Sequence, residues 1–437
     1  MTTDHLALLT HSIQAATSPL RNYLVDLHQQ YKPLKDGEPV SSLGAALTKP
    51  DGFGICAVTV DGQVLEVGDA SHLFPIRSLS RALIYGLALE DWGRAHVTQR
   101  VGVKPVGEAL NTVGLDEVDR CSHNPLITTG AIVTTSLIQG RSFSERLGRI
   151  LRMFRRYTGR ELQGDALTFS TVKHQGHREQ AIAHFLLDVG LVEGSVEDII
   201  NLYFQHSTLL VNSCDLAMIG ATLANGGINP VTNEQAIAAE YVQDVTSVIM
   251  TCGMYERSGE WTRRVGMPAQ TSVSGALMAV VPQKLGLGIF SPYLDHAGNS
   301  VRGIRVCEAI SNDHHLHLFD IYERNQQMLQ YIQQVNKVTA AAAALENNTY
   351  DDATNLDEIA QRSDELGQLA RMFQRMATQV KAREQQLKQQ IQLLQIEIDK
   401  TEKDEKVAEI VQSESFQNLK QKLERMKKRR DQRHSST

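Results

Sequence analysis

The stretch Phe74-Pro-Ile-Arg-Ser-Leu-Ser-Arg81, followed by the apolar segment Ala82–Leu89, decides how this sequence is interpreted. It has the pattern of a serine nucleophile on a helix, in which a lysine one turn after the serine accepts its proton. Here Arg81 stands one turn after Ser78. A guanidinium has no acceptor lone pair and stays charged at any workable pH. The pattern therefore indicates either an enzyme or a protein that keeps the fold of an enzyme without its activity.

The composition changes along the 437 residues, which are enough for two or three domains. Hydrophobic residues make up 42% of the chain, which supports a sizeable core. From about Arg324 onward Gln, Glu, Lys, Arg, Leu and Ala dominate, and aromatic residues nearly vanish. Such a composition with heptad spacing is typical of long helices or coiled coils. The sequence predicts three parts, at residues 1–320, 321–385 and 386–437.

Charge and cysteine usage exclude several classes of protein. The net charge of −6 gives no reason to expect nucleic-acid binding by the whole chain. Five scattered cysteines without a CxxC pair favour reduced thiols in a cytoplasmic protein, and we expect no metal site. We expect neither a signal peptide nor a transmembrane segment. The basic end at 420–433 is interpreted as a solvated helix terminus or as a contact for an anionic partner.

Strand patterns lie at both ends of the first region, with helical patterns between them. Asp61-Gly62 separates apolar runs at 54–60 and 64–67, which is a strong hairpin signal. A second pair of strand patterns covers 275–282 and 284–291, whereas 303–309 fits a strand or a helix. This order predicts an α+β domain whose terminal strands share one antiparallel sheet beside a helical lobe. The active site is expected between sheet and lobe.

Several motifs in order make residues 5–320 resemble the serine-dependent glutaminases, which share the fold of β-lactamases and penicillin-binding proteins. The resemblance implies hydrolysis of L-glutamine to L-glutamate and ammonia through a serine acyl-enzyme, without a cofactor. The motifs that carry it are Thr59-Val-Asp-Gly-Gln63, Phe74-Pro-Ile-Arg-Ser-Leu-Ser-Arg81, Lys104-Pro-Val-Gly107, His123-Asn-Pro-Leu-Ile-Thr-Thr-Gly-Ala-Ile132, Leu202-Tyr-Phe-Gln205, Ala221-Thr-Leu-Ala-Asn-Gly-Gly-Ile-Asn-Pro230, Cys252-Gly-Met-Tyr255 and Gly298-Asn-Ser-Val-Arg-Gly-Ile304.

The resemblance assigns roles to five positions that match the family. Ser78 matches the nucleophile, and Asn111 matches an asparagine that helps to hold the α-carboxylate and amine end of the substrate. Tyr203 and Tyr255 match two tyrosines of the site, one of which takes part in proton transfer. The backbone N–H of Val273, with that of the serine, matches the oxyanion hole. Each residue also has a structural interpretation, as a helix-start serine, a turn asparagine or a core tyrosine.

Other positions depart from the family. Arg81 occupies the position of the base lysine, and Arg77 replaces a glutamine that contacts the substrate. Val172 replaces the glutamate that pairs with the substrate ammonium, and Glu179 replaces an asparagine. Loss of a general base typically costs about 10²–10⁴-fold in rate. Two further stretches also depart, Ser42-Leu43-Gly44 and Gln270-Thr271-Ser272.

The C-terminal third resembles a HAMP signalling module followed by a coiled coil. A helical pattern at about 321–350 is interrupted by Asn347-Asn-Thr-Tyr-Asp-Asp-Ala353, and a second helix starts at Ser363-Asp-Glu-Leu-Gly367. The resemblance implies a parallel four-helix bundle formed by a homodimer, either as a signalling relay or as a plain dimerising stalk. Near-heptad spacing that sustains a coiled coil involves Leu366, Leu369, Phe373, Met376, Val380, Leu387, Leu394 and Ile398.

Two functions remain open at this point. The substitutions predict a catalytically impaired glutaminase-family protein that acts as a dimeric signalling or interaction protein with a possible protein partner. The alternative is an active glutaminase regulated by its helical C-terminus. We also hypothesise that the pocket either has become structural or takes L-glutamine or another small anionic ligand. Because Arg77 and Arg81 lie beside a helix N-terminus, a carboxylate or phosphate would be favoured.

Overall fold

A computed structural model describes residues 18–39, 49–106, 115–116, 118, 120–346 and 356–434. The chain divides into two compact units, of which the first ends at Ile321 and the second begins at Tyr322. Within the described ranges, no helix carries an apolar stretch that could cross a membrane. The predicted division into three domains stays a prediction.

The first unit is built on a five-stranded antiparallel sheet, in the order β3-β2-β8-β7-β6. The predicted hairpin is confirmed, since β2 and β3 pair across Asp61-Gly62, and Gly62 has the positive φ of 89° that such a turn favours. The N-terminal pair and the C-terminal strands share this sheet, as predicted. The strands are β1 Glu38–Pro39, β2 Gly54–Thr59, β3 Val64–Gly68, β4 Phe74–Pro75, β5 Leu210–Val211, β6 Ala269–Thr271, β7 Ala276–Val281, β8 Leu285–Phe290 and β9 Tyr293–Leu294.

Helices cover both faces of this sheet, so the α+β prediction is confirmed. The segment 303–309 lies within a helix that begins after Ser300, whose side chain accepts a hydrogen bond from the Gly303 N–H. The helices of the first unit are α1 Pro19–Tyr31, α2 Ser80–Thr98, α3 Thr128–Ser136, α4 Phe143–Thr158, α5 Ala166–Gln175, α6 His177–Asp188, α7 Val196–Ser207, α8 Ser213–Ala224, α9 Ala239–Cys252, α10 Ser258–Arg264 and α11 Val301–Asp313.

Strand β7 shows how the sheet separates two cores. Because successive side chains of a strand point to opposite faces, Ala276, Met278 and Val280 join the core of the helical lobe. The alternate residues Leu277 and Ala279 pack instead in the core that contains α1 and α11. The helix α8 lies close to the sheet because β8 carries glycine there; a Cβ at Gly288 would sit 1.9 Å from the Ser213 carbonyl oxygen.

The second unit contains the helices α12 Ile321–Glu346, α13 Asp357–Ala360, α14 Glu365–Gln412 and α15 Glu414–His434. Helices α12 and the start of α14 run in parallel: Arg362 Nη1 donates to Gln334 Oε1 at 2.8 Å, and Val338 packs with Leu366 further along. The predicted second helix start is present, since the Asp364 side chain caps α14 by accepting from the Gly367 N–H. The predicted interruption at 347–353 lies outside the described residues.

Candidate functional site

The turn that carries Ser78, the predicted nucleophile, connects a short strand to a helix of the lobe. Strand β4 pairs with β5, and a 3₁₀ turn at Arg77–Leu79 leads directly into α2. Ser78 lies in this turn and is 6% exposed. Arg77 has a φ of 53°, a left-handed conformation that costs a non-glycine residue of order 1–3 kcal/mol. Such strain persists where the surrounding structure imposes it, which is common at functional sites.

Buried hydrogen bonds stabilise the turn at Arg77–Leu79. The Ser80 hydroxyl donates to the Arg77 carbonyl at 2.7 Å. The His206 ring bridges Ser80 and Thr135, with Nδ1 2.9 Å and Nε2 3.1 Å from their hydroxyl oxygens. Burial, with a smaller effect of the Arg81 charge, lowers the pKa of His206 to about 3. The imidazole is therefore neutral near pH 7 and positions the turn.

The Ser78 hydroxyl lies in a short hydrogen-bond network with Tyr255. The Tyr255 hydroxyl donates toward Ser78 Oγ at 2.9 Å and also lies 3.2 Å from the Thr271 carbonyl oxygen. Ser78 Oγ is 3.4 Å from the same carbonyl. Burial raises the pKa of Tyr255, although the Arg81 charge and the Ser78 hydrogen bond act in the opposite direction. Near pH 7 the phenol is protonated, so it can donate a proton but is not a ready base.

Arg81 is buried and donates hydrogen bonds to two protein acceptors. Its Nη1 donates to the Leu126 carbonyl at 2.6 Å, and its Nη2 donates to the Tyr203 hydroxyl at 2.7 Å. The Asn124 side chain fixes the loop that presents this carbonyl, because its Oδ1 accepts the Leu126 and Ile127 N–H groups. The guanidinium is thus held in one place and has no lone pair for the Ser78 proton.

A cavity of about 280 Å³ opens over this turn and brings together most of the predicted site. Tyr255 reaches the site through its contact with Ser78. Asn111 and the stretch 42–44 lie outside the described residues. The cavity is lined by Arg77, Ser78, Arg81, Thr128, Val172, Gln175, Gly176, Glu179, Tyr203, Phe204, Ser207 and Val273.

The turn after β6 carries Val273, whose backbone N–H the sequence predicts as part of an oxyanion hole. Val273 lies between β6 and β7 in a turn that Gly275 closes with a φ of 85°. Gln270 Nε2 donates to the Ser78 carbonyl at 2.7 Å and so ties the two turns together. Within the described part of the chain, no acceptor takes the Val273 N–H. Backbone donors left free in this way suit a developing oxyanion.

Comparison with known proteins agrees with this geometry. The family model described as Glutaminase matches residues 44–319. A glutaminase of Microcystis aeruginosa is 48% identical over 71% of this chain and 92% of its own length. This chain belongs to the glutaminase family. A second relative, glutaminase 2 of Bradyrhizobium diazoefficiens, is 40% identical over 69% of this chain and 48% of its own length.

Solved glutaminase-family structures share the fold of the first unit. The crystal structure of Mglu in its native form has a TM-score of 0.66 and 36% identity, over 69% of this chain and 74% of its own. Mglu in its glutamate form matches with the same score and identity, over 69% and 70% of the two chains. Both comparisons confirm the β-lactamase-like glutaminase fold, whereas the matched family segment ends at residue 319.

Sequence reasoning missed several residues of this glutaminase-family site. Thr128 and Leu126 belong to the motif at 123–132 that carries the family resemblance, so the sequence contained a signal for their place at the site. Gln175 and Gly176 lie within the stretch 171–179 that supplied Val172 and Glu179, so they had a signal as well. Ser207 had none, because only the end of α7 places it at the cavity. In the described ranges, no group of three or more His, Cys, Asp and Glu side chains could hold a metal ion.

Proposed function

We propose that this glutaminase-family protein binds an amino acid of the glutamine and glutamate type at the Ser78 cavity and hydrolyses glutamine only slowly. One observation carries the proposal, namely the position of Arg81 on the Leu126 carbonyl and the Tyr203 hydroxyl. A serine hydroxyl is a poor nucleophile without a base, and Arg81 cannot accept its proton. Loss of a general base typically lowers the rate by about 10²–10⁴-fold.

An active glutaminase remains the second candidate, favoured by the contact between Tyr255 and Ser78. At 2.9 Å the two hydroxyl groups are within proton-transfer distance. Tyr255 would have to lose its own proton before it could act as the base. Since burial raises its pKa, that state is scarce near pH 7. The tyrosine therefore supports residual turnover, while the oxyanion-hole geometry at Val273 would stabilise the same reaction.

Ammonia release from L-glutamine decides between the two candidates. We expect slow release by the native protein and an increase of roughly 10²-fold or more in Arg81→Lys, because a buried lysine can become neutral and accept the Ser78 proton. Arg146→Lys is the matched control, since Arg146 also donates to backbone carbonyls but lies outside the cavity. Native turnover equal to or above that of Arg81→Lys would favour the active enzyme and contradict the proposal.

The second unit supports a further part of the proposed function, a parallel homodimer that relays ligand binding to a protein partner in the cytoplasm. Helix α14 carries exposed apolar side chains, among them Leu387 and Leu394, which are 51% and 58% exposed. Such a stripe on a helix of 48 residues fits a coiled coil with a second copy. Hydrogen exchange across α12 and α14 with and without L-glutamate tests the relay; unchanged protection would leave a plain dimerising stalk.

A further inference from the structure

The two arginines that flank Ser78, at positions 77 and 81, have opposite environments. Arg81 is bound by protein acceptors. Arg77 also lines the cavity, but among the residues that the structure describes nothing forms a hydrogen bond or an ion pair with its guanidinium. Burial lowers the pKa of Arg77, and the neighbouring Arg81 charge acts in the same direction. A largely desolvated cation without a counter-ion is costly, and a ligand carboxylate would relieve that cost.

Glu179 supplies the only carboxylate on the described cavity wall. It lies on α6, one turn beyond the break at Gly176, where a Cβ would approach the Val172 carbonyl oxygen to 2.6 Å. Val172 and Glu179 thus face the same cavity, so a carboxylate is present although position 172 is apolar. Glu179 also attracts the Arg77 charge, but the two side chains form no ion pair.

The charges on the wall point to the charge of the ligand. Arg77 and Arg81 contribute two positive charges, and Glu179 contributes one negative charge. An acidic amino acid has two carboxylates and one ammonium group, which complements this set. A neutral amino acid with a side-chain amide leaves one cation without a counter-charge. Its side-chain amide offers a guanidinium only one neutral acceptor oxygen, whereas a carboxylate accepts from the guanidinium fork through both oxygens.

We propose that Arg77 anchors a carboxylate and Glu179 accepts the ammonium of the ligand, so that the pocket selects an acidic amino acid of the size of L-glutamate over L-glutamine. This inference rests on the proposed function, because it assigns the ligand of the same cavity. Arg77 is the specificity-determining residue. The role is separate from that of Arg81, which remains engaged with protein acceptors.

Titration calorimetry of the full chain with L-glutamate, L-glutamine and glutarate tests the assignment. We expect L-glutamate to bind roughly 10- to 100-fold more tightly than L-glutamine, the range for a hydrogen-bonded charge that is gained or lost. Arg77→Gln should abolish or reverse this ratio. Arg305→Gln removes the same charge from an exposed position on α11 that pairs with Glu308, and it should leave the ratio within about 2-fold.

Glutarate separates the two anchors, because it has both carboxylates and no ammonium. Glu179→Gln should lower the affinity for L-glutamate by roughly 10-fold or more. The same variant should bind glutarate with unchanged or higher affinity. Equal losses for both ligands would overturn the role of Glu179. If Arg77→Gln fails to fold by circular dichroism, Arg77→Lys replaces it and should reduce the ratio, because an ammonium lacks the planar fork.

The outcomes distinguish this inference from the function on which it rests. L-Glutamine binding as tightly as L-glutamate to the native chain overturns the selectivity and leaves the proposed site intact. Binding of none of the three ligands overturns both proposals. If the native chain prefers L-glutamate and Arg77→Gln keeps the same ratio of L-glutamate to L-glutamine affinity, the assignment of Arg77 is overturned.

Discussion

The two units of this chain differ in where their large apolar side chains lie. In the first unit Phe154 and Phe290 are fully buried in one core with α2. In the second unit a small cluster around Val338 and Leu366 is buried, while Leu387 and Leu394 are exposed. A helix stabilised chiefly by packing needs a partner for its apolar face. The first unit therefore has a core of its own, whereas the second unit contains apolar surface that suits another chain.

The largest expected effect separates the two kinds of apolar residue. Phe154→Ala should lower the free energy of unfolding of the first unit by roughly 3–5 kcal/mol, because it leaves a cavity in a close-packed core. Leu393 lies in the second unit and its side chain is 66% exposed. Leu393→Ala should therefore change the free energy of unfolding of the second unit by less than about 0.5 kcal/mol. Urea unfolding followed by circular dichroism measures both. Equal effects would contradict the contrast between the units.

The next effect tests whether a second copy covers α14. Leu387 and Leu394 are seven residues apart and so lie on one face of the helix. Replacing both with Gln should raise the dimer dissociation constant by roughly 100-fold or more, since burial of each leucine contributes about 1.5–3 kcal/mol and every 1.4 kcal/mol is a factor of ten. Sedimentation equilibrium over a range of protein concentrations measures this change. Leu393→Gln is the control, because Leu393 lies one position away from that face, and it should leave the dissociation constant nearly unchanged. A native chain that sediments as a monomer would rule out the dimer.

A smaller and pH-dependent effect belongs to the first unit alone. His206 has a pKa of about 3 when folded and an ordinary value of 6.5. Between these values the unfolded chain binds a proton that the folded chain does not. Stability is therefore complete above pH 6.5 and falls as the pH is lowered, by at most about 1.4 kcal/mol per pH unit. In His206→Asn the urea midpoint should depend less on pH between pH 6.5 and 4. His184→Asn, at an exposed position, should keep the pH dependence of the native chain.

Much of the fold was predictable because its signals are local. Asp61-Gly62 between two apolar runs favours a hairpin turn, and the apolar segment after Ser78 predicts a helix, which α2 confirms with residues 80–89 buried. The segment 303–309 was ambiguous because short apolar runs fit strand and helix alike. Its helix is fixed by the Ser300 cap and by packing of Val306 and Ile310 in the core.

The heptad pattern of α14 was only partly informative. It predicted a single seam that included both Leu366 and Leu369. In the structure Leu366 packs inside the second unit with Ala370, whereas Leu369 is 42% exposed. Spacing identifies apolar positions on a helix but not which of two neighbours covers them. That choice depends on where α12 lies, which is a tertiary fact.

The sequence by itself determined the family, the α+β class and the identity of the residue at each matched site position, because motifs are read from residue order. The tertiary structure decided what those residues do to one another. It attached Arg81 to a carbonyl and a tyrosine, left Arg77 facing the cavity, and brought Glu179 to the same wall as Val172. Charge partners are set by distances across separate helices and turns, and sequence spacing does not contain those distances.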